Sequence, residues 1–145
     1  MASNPKRLLV AGTALALLTG PVTGCAAPAS VAYDTYAGSP PGYDGTGGTL
    51  NGRPGAVWLA GKQEFAIVTF GSSSCPPIPT SLQTEPPSAV TVTFVAAPTE
   101  ACTEDVAATT HEFRTPEGIE EDAAVTLHVQ FDFQQQYSFE LTLEP

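Results

Sequence analysis

The end of the chain alternates. From Ala123 to Phe133, Val125, Leu127, Val129, Phe131 and Phe133 share one parity, and Thr126, His128, Gln130 and Asp132 the other. Tyr137, Phe139, Leu141 and Leu143 repeat the pattern, with Ser138, Glu140 and Thr142 between them. Successive side chains of a strand point to opposite faces, so a period of two predicts strands with one buried and one wet face. Such a strand must lay its apolar face on another layer, which points to a sandwich.

The rest of residues 56–145 fits that reading. Val90, Val92 and Phe94 alternate with Thr91 and Thr93, predicting a half-buried strand over Ala89–Ala96. Phe65 to Phe70 is apolar on both parities, as in a strand buried on both faces. It follows the apolar run Ala56–Ala60 and the turn Gly61-Lys62-Gln63, which together read as a hairpin. Thr80–Thr84 reads as a short edge strand and Val106–Phe113 as a strand of weaker pattern. Turn chemistry separates these runs: Gly71–Pro79, Pro86-Pro87-Ser88, Pro98–Asp105, Pro116-Glu117-Gly118 and Gln134–Gln136. The expectation is an all-β, immunoglobulin-like sandwich of about seven strands. The cysteine pattern of true immunoglobulin domains is missing, because Trp58 precedes both Cys75 and Cys102.

Residues 25–55 read differently. Gly38-Ser39-Pro40-Pro41-Gly42 and Asp44-Gly45-Thr46-Gly47-Gly48 carry no apolar period, which predicts a flexible tether ahead of the domain. Thirty residues of such chain span on the order of 30 Å. Tyr33, Tyr36 and Tyr43 are unusual in a spacer. Either they pack back onto the domain, or they meet a partner such as a cell-wall polymer.

Residues 1–24 read as a secretory signal. Lys6 and Arg7 precede the apolar run Leu8–Leu18, which is too short to span a bilayer, and Thr19-Gly20-Pro21 ends it. Val22-Thr23-Gly24-Cys25 then resembles the lipobox of bacterial lipoproteins: an aliphatic residue, a small residue, Gly or Ala, then Cys. The resemblance implies cleavage before Cys25 and a diacylglyceryl group on its sulfur. That would place the chain on the extracytoplasmic face of the cell membrane, since two acyl chains give stable anchoring. Two other outcomes stay open at this point: cleavage after Ala29 of Ala27-Pro28-Ala29, and an uncut anchor.

With Cys25 lipidated, the three cysteines reduce to one pair, Cys75 and Cys102. An oxidising compartment closes such a pair, at about 3–4 kcal/mol of chain-entropy stabilisation. Two buried free thiols are the alternative. Past the signal, Arg53, Lys62 and Arg114 face fifteen acidic residues, a formal charge of −12. Such a surface repels phosphate backbones, which excludes nucleic acid as a natural partner. It also disfavours lying flat on anionic lipid, leaving the lipid anchor to hold the membrane.

Phe65–Gly71 followed by Ser72-Ser73-Ser74-Cys75-Pro76-Pro77, with Cys102 downstream, resembles small actinobacterial lipoproteins that join a lipobox, a spacer and an all-β domain. The resemblance implies compartment and fold, and no activity. The Ser72–Cys75 loop invites a nucleophile, but Cys75 stands where a nucleophile elbow needs Gly, and Pro76-Pro77 blocks the following helix. His111 and His128, with Glu112 or Asp132, are the candidate metal ligands, without close ligand spacing; two solvent-facing histidines are the simpler expectation. Glu117, Glu120, Glu121 and Asp122 crowd one turn but lack the Ca²⁺-loop spacing. No catalytic residue, metal or cofactor is therefore assigned. The expected function is a lipid-anchored, non-catalytic domain that binds an envelope protein or cell-wall component. A metal-handling protein or a hydrolase using His111 or the Ser72–Cys75 loop is the alternative. A passive coat is a third.

Overall fold

A computed structural model describes residues 28–45, 53–59, 61–98, 101–120, 122–132 and 137–145. Residues 1–24, Cys25, Glu121, Phe133 and the turn at Gln134–Gln136 lie outside the described residues.

Eight strands form two four-stranded sheets. They are β1 (Asp34–Ala37), β2 (Gly55–Trp58), β3 (Glu64–Gly71), β4 (Ile78–Glu85), β5 (Ala89–Val95), β6 (Ala107–Arg114), β7 (Val125–Asp132) and β8 (Tyr137–Leu143). One sheet has the order β1-β6-β3-β2 and the other β4-β5-β7-β8. We call them sheet A and sheet B. The seven strands β2–β8 are the number expected from residues 56–145. β5 and β7 run parallel, the one such pair among the described strands. The chain between them passes through β6 of the other sheet, so their pairing depends on both layers.

The expected hairpin of β2 and β3 turns at Gly61 and Lys62, both at positive φ, with Lys62 N–H donating to Leu59 C=O at 3.1 Å. The edge strand expected at Thr80–Thr84 is longer, Ile78–Glu85, and its register shifts between Pro79 and Ser81. Thr80 falls at that shift, so Pro79 sits in an edge strand where ladder pairing is already interrupted.

The core lies between the sheets. Phe65, Ile67 and Phe113 of sheet A meet Val90, Val92, Phe94, Val125, Leu127, Val129 and Leu143 of sheet B. Phe65 stacks on Phe113 with ring centroids 5.2 Å apart, and Phe94 on Phe131 at 5.3 Å. Each fully buried side chain of this size contributes about 1.5–3 kcal/mol. The parities assigned to β5, β7 and β8 hold at Val90, Val92, Phe94, Val125, Leu127, Val129, Phe131 and Leu143, all buried. Ile119, in the turn between β6 and β7, drops its side chain into the same core.

The tether expectation gives way at Val31. Its N–H donates to Pro79 C=O at 2.8 Å, Ala32 packs on the core, and Asp34–Ala37 pairs with β6. Residues 31–45 therefore belong to the domain. Tyr33 and Tyr36 donate their hydroxyls to Glu112 Oε2 and Oε1, each at 2.8 Å. Gly38 C=O accepts from Thr110 Oγ1 at 2.6 Å. Tyr43 lies against Gly55, where an added methyl would sit 2.6 Å from Tyr43 Cε2; Gly55 is the β-partner of Val68. This strap explains why β3 is apolar on both parities. Ile67 points to the core, while Ala66 and Val68, both 0% exposed, stand on the far face under the strap. β1 is not legible in the sequence because its strand character comes from the edge of β6. Its own four residues are mostly exposed and show no period.

Candidate functional site

The loop Ser72–Cys75 leaves β3 of sheet A for β4 of sheet B. The loop carrying Cys102 leaves β5 of sheet B for β6 of sheet A. The disulfide Cys75–Cys102, with Cα atoms 5.5 Å apart, joins these two crossings. The pairing expected from the cysteine count is thus formed, across 27 residues.

Around this staple a hydroxyl cluster gathers on one carboxylate. Asp105 Oδ1 accepts from Ser73 N–H at 3.1 Å and from Thr103 Oγ1. Thr103 Oγ1 lies 2.9 Å from Ser72 Oγ, 3.3 Å from Ser73 Oγ and 3.2 Å from Ser74 Oγ, and Thr103 N–H donates to Ser74 Oγ at 2.9 Å. The Ser73 and Thr103 hydrogen bonds hold the Asp105 carboxyl down at about 2, so it stays ionised. Thr103 and Asp105 were not singled out in the sequence. They lie about thirty residues from the serines, and only the Cys pairing hints that the segments meet.

Beside the cluster a cleft of about 290 Å³ opens between the sheets, lined by Phe70, Ser72, Cys75, Pro77, Ala97 and Phe131 among others. Apolar side chains and Ser72 line it together.

His111 does not join this loop. The expectation of a solvent-facing histidine is wrong: His111 is 0% exposed, on the inward parity of β6 between Thr109 and Phe113. Its Nε2 lies 3.1 Å from Thr69 Oγ1 and its Nδ1 3.3 Å from Thr35 Oγ1. Phe94 meets the ring edge-on at 5.1 Å. Burial pushes the imidazole down to about 4, so it is neutral at physiological pH. Both ring nitrogens have hydroxyl partners, buried Thr69 and Thr35 of the edge strand, which explains how a polar ring is tolerated there. The cause of the error is local: β6 places Thr109 and His111 on its inner face, so polarity no longer marks the wet side.

His128 keeps the outward position expected of it. Its side chain is 40% exposed, and Nδ1 lies 3.9 Å from Glu140 Oε2 on the neighbouring strand. Glu112, the carboxylate weighed as a ligand beside the histidines, is taken by the two tyrosine hydroxyls. Asp132 is exposed at the end of β7. Among the described residues no group of three His, Cys, Asp or Glu side chains is placed to hold a metal. In the acidic turn, Glu117, Glu120 and Asp122 point to solvent, while backbone bonds from Ile119 to Pro116 and from Glu120 to Pro87 shape it.

Tyr36 and Tyr43 pack back onto the domain, while Tyr33 donates its hydroxyl to Glu112 and stays 45% exposed. Partial desolvation and the Glu112 carboxylate raise the phenols of Tyr33 and Tyr36 above their ordinary value. Arg114 lies over the Tyr33 ring, 5.5 Å from its centroid.

Neither a protein-family model, nor a curated protein, nor a solved structure matches this chain.

Proposed function

We propose that this chain is a lipid-anchored extracytoplasmic protein whose sandwich binds a component of the cell envelope without catalysing a reaction. The observation that carries the reading is the use of the cysteines. Cys75 and Cys102 are joined to each other, which leaves Cys25, at the end of an apolar leader, as the odd sulfur. A structural disulfide in a small domain favours an oxidising compartment. The chemistry of the Ser72–Cys75 loop supports a binding role over a hydrolytic one. Its hydroxyls converge on an ionised carboxylate with no imidazole between them, and Cys75 is not a thiol. The adjoining cleft, lined by Phe70, Phe131, Pro77 and Ser72 among others, is the natural contact point for a small ligand group or a protruding side chain.

Mass spectrometry of the protein extracted from membranes tests the anchor. The expected product starts at Cys25 and carries a diacylglyceryl adduct, and Cys25→Ala loses the membrane fraction. An unmodified thiol at Cys25, or a chain starting at Ser30, overturns it. Cross-linking in cells from a photoreactive residue at Ala97 tests the binding role. A discrete adduct that a Ser72→Trp variant abolishes supports it. Labelling no stronger than that from a site on the outer face of β7 refutes it.

A further inference from the structure

We infer that the domain stands against the bilayer itself, and that Val31, Tyr33 and Arg114 form the surface that meets the lipid headgroups. The inference rests on the proposed anchoring at Cys25. Residues 25–55 look like a thirty-residue spacer in the sequence, but β1 and the strap take up most of that length. Val31 is already fixed to Pro79, and Tyr33 N–H donates to Glu112 C=O at 3.0 Å. Five residues lie between Cys25 and Val31, so six Cα–Cα steps join them. At full extension they reach about 20 Å, and less when relaxed. The root of β1 is therefore held close to the headgroups.

The surface at that root is unlike the rest of the molecule. The large hydrophobic side chains that are exposed among the described residues are Val31 at 42%, Tyr33 at 45% and Val106 at 76%. Two of the three belong to this root. Arg114, one of three basic residues past the leader, lies over the Tyr33 ring. An exposed aliphatic side chain, an aromatic ring with a polar tip and a guanidinium are the groups that settle at a membrane interface. Glu64 and Glu112 also border Tyr33, so it is the short reach from Cys25 and the exposed side chains, not net charge, that turn this face to the lipid. Val106 sits just before β6 and Arg114 ends it, so the two mark opposite ends of an eight-residue strand, about 25 Å apart.

The test uses the mature chain coupled through Cys25 to a maleimide phospholipid in phosphatidylcholine–phosphatidylglycerol nanodiscs doped with a gadolinium lipid. Cys75 and Cys102 are joined, so Cys25 is the reactive thiol. Coupling supplies the anchor chemically, so the result does not depend on whether the cell lipidates Cys25, which mass spectrometry decides separately. Amide signals of Val31, Tyr33 and Arg114 are expected to broaden severalfold more than that of Val106. The double variant Val31→Glu with Arg114→Glu should level the difference while leaving the other amide shifts in place. Equal broadening at both ends of β6, stronger broadening at Val106, or an unchanged gradient in the double variant would overturn the inference. So would concentration-dependent shifts of the same amides without nanodiscs, which would assign the surface to a second copy of the chain.

Discussion

The outer faces of the two sheets have opposite fates. The outer face of sheet B is open. Ser81, Gln83, Thr91, Thr93, Thr126, His128, Gln130, Glu140 and Thr142 fall on it by register, and all are exposed or half-buried. The outer face of sheet A is roofed by the strap, and Ala66, Val68 and Thr110 beneath it are 0% exposed. The inner faces differ in the reverse sense. That of sheet B is apolar, whereas that of sheet A holds Thr69, Thr109 and His111. A sheet covered on both sides can place polar groups inside, because the neighbouring hydroxyls of Thr35 and Thr69 satisfy them. A half-open sheet shows the plain alternation that makes it readable.

Matched substitutions break this comparison most sharply. Val68→Asp puts an unpaired charge under the strap and should cost more than about 4 kcal/mol, enough to prevent cooperative urea unfolding. If Val68→Asp instead behaves like a surface change, the strap does not cover sheet A in solution. The staple between the sheets comes next. Cys75→Ser with Cys102→Ser should lower stability by about 3–4 kcal/mol in the same assay, from the loop it opens. A near-zero change would mean that the two crossings are held by packing alone.

The buried histidine sharpens the contrast between the inner faces. Its pKa falls from 6.5 unfolded to about 4 folded. The unfolded chain therefore takes the proton first. Stability from this group is complete above pH 6.5, declines as pH falls toward 4, and is flat below, a total of roughly 3 kcal/mol. Urea titrations across that window should show the decline, and His111→Gln should remove it. A profile identical in the variant would place the titration elsewhere. The clasp of the strap is worth less: Tyr33→Phe with Tyr36→Phe should cost about 1–2 kcal/mol and speed exchange of the β1 amides, because the bonds to Glu112 are partly exposed. The smallest effect belongs to the open face. Thr93→Ala should stay within about 0.5 kcal/mol, and a larger loss would mean that something packs on sheet B.

How much of this was legible follows from the same contrast. Val90, Val92 and Phe94 and the β7 series were placed correctly because each apolar residue is flanked by a polar one. The double burial of Phe65–Phe70 was also legible, but not what covers it. The cover is the strap that carries Tyr33, Tyr36 and Tyr43, in a run rich in Gly and Pro that resembles linker. Glu112 is what draws two of those tyrosines in, and no local pattern connects residues so far apart. His111 was misplaced because β6 has polar residues on both parities. At the candidate site, the Cys pairing and the turn were legible. The convergence of Thr103 and Asp105 on the serines was not, since hydroxyls carry no period and the segments meet only once both crossings are made.

The bond between Tyr33 and Glu112 spans 79 residues. Chains emerge from the ribosome with the N-terminus first. Among the described strands β1 is thus made first, and it cannot be seated until β6 has followed. Until then the apolar outer side of β3 has no roof, and a nascent chain stopped short of residue 107 exposes Val68 however well its first hairpins form. The piece that looks most dispensable is the one that commits the newborn protein to its final shape, so premature termination anywhere before β6 should yield material for proteolysis rather than a smaller working domain.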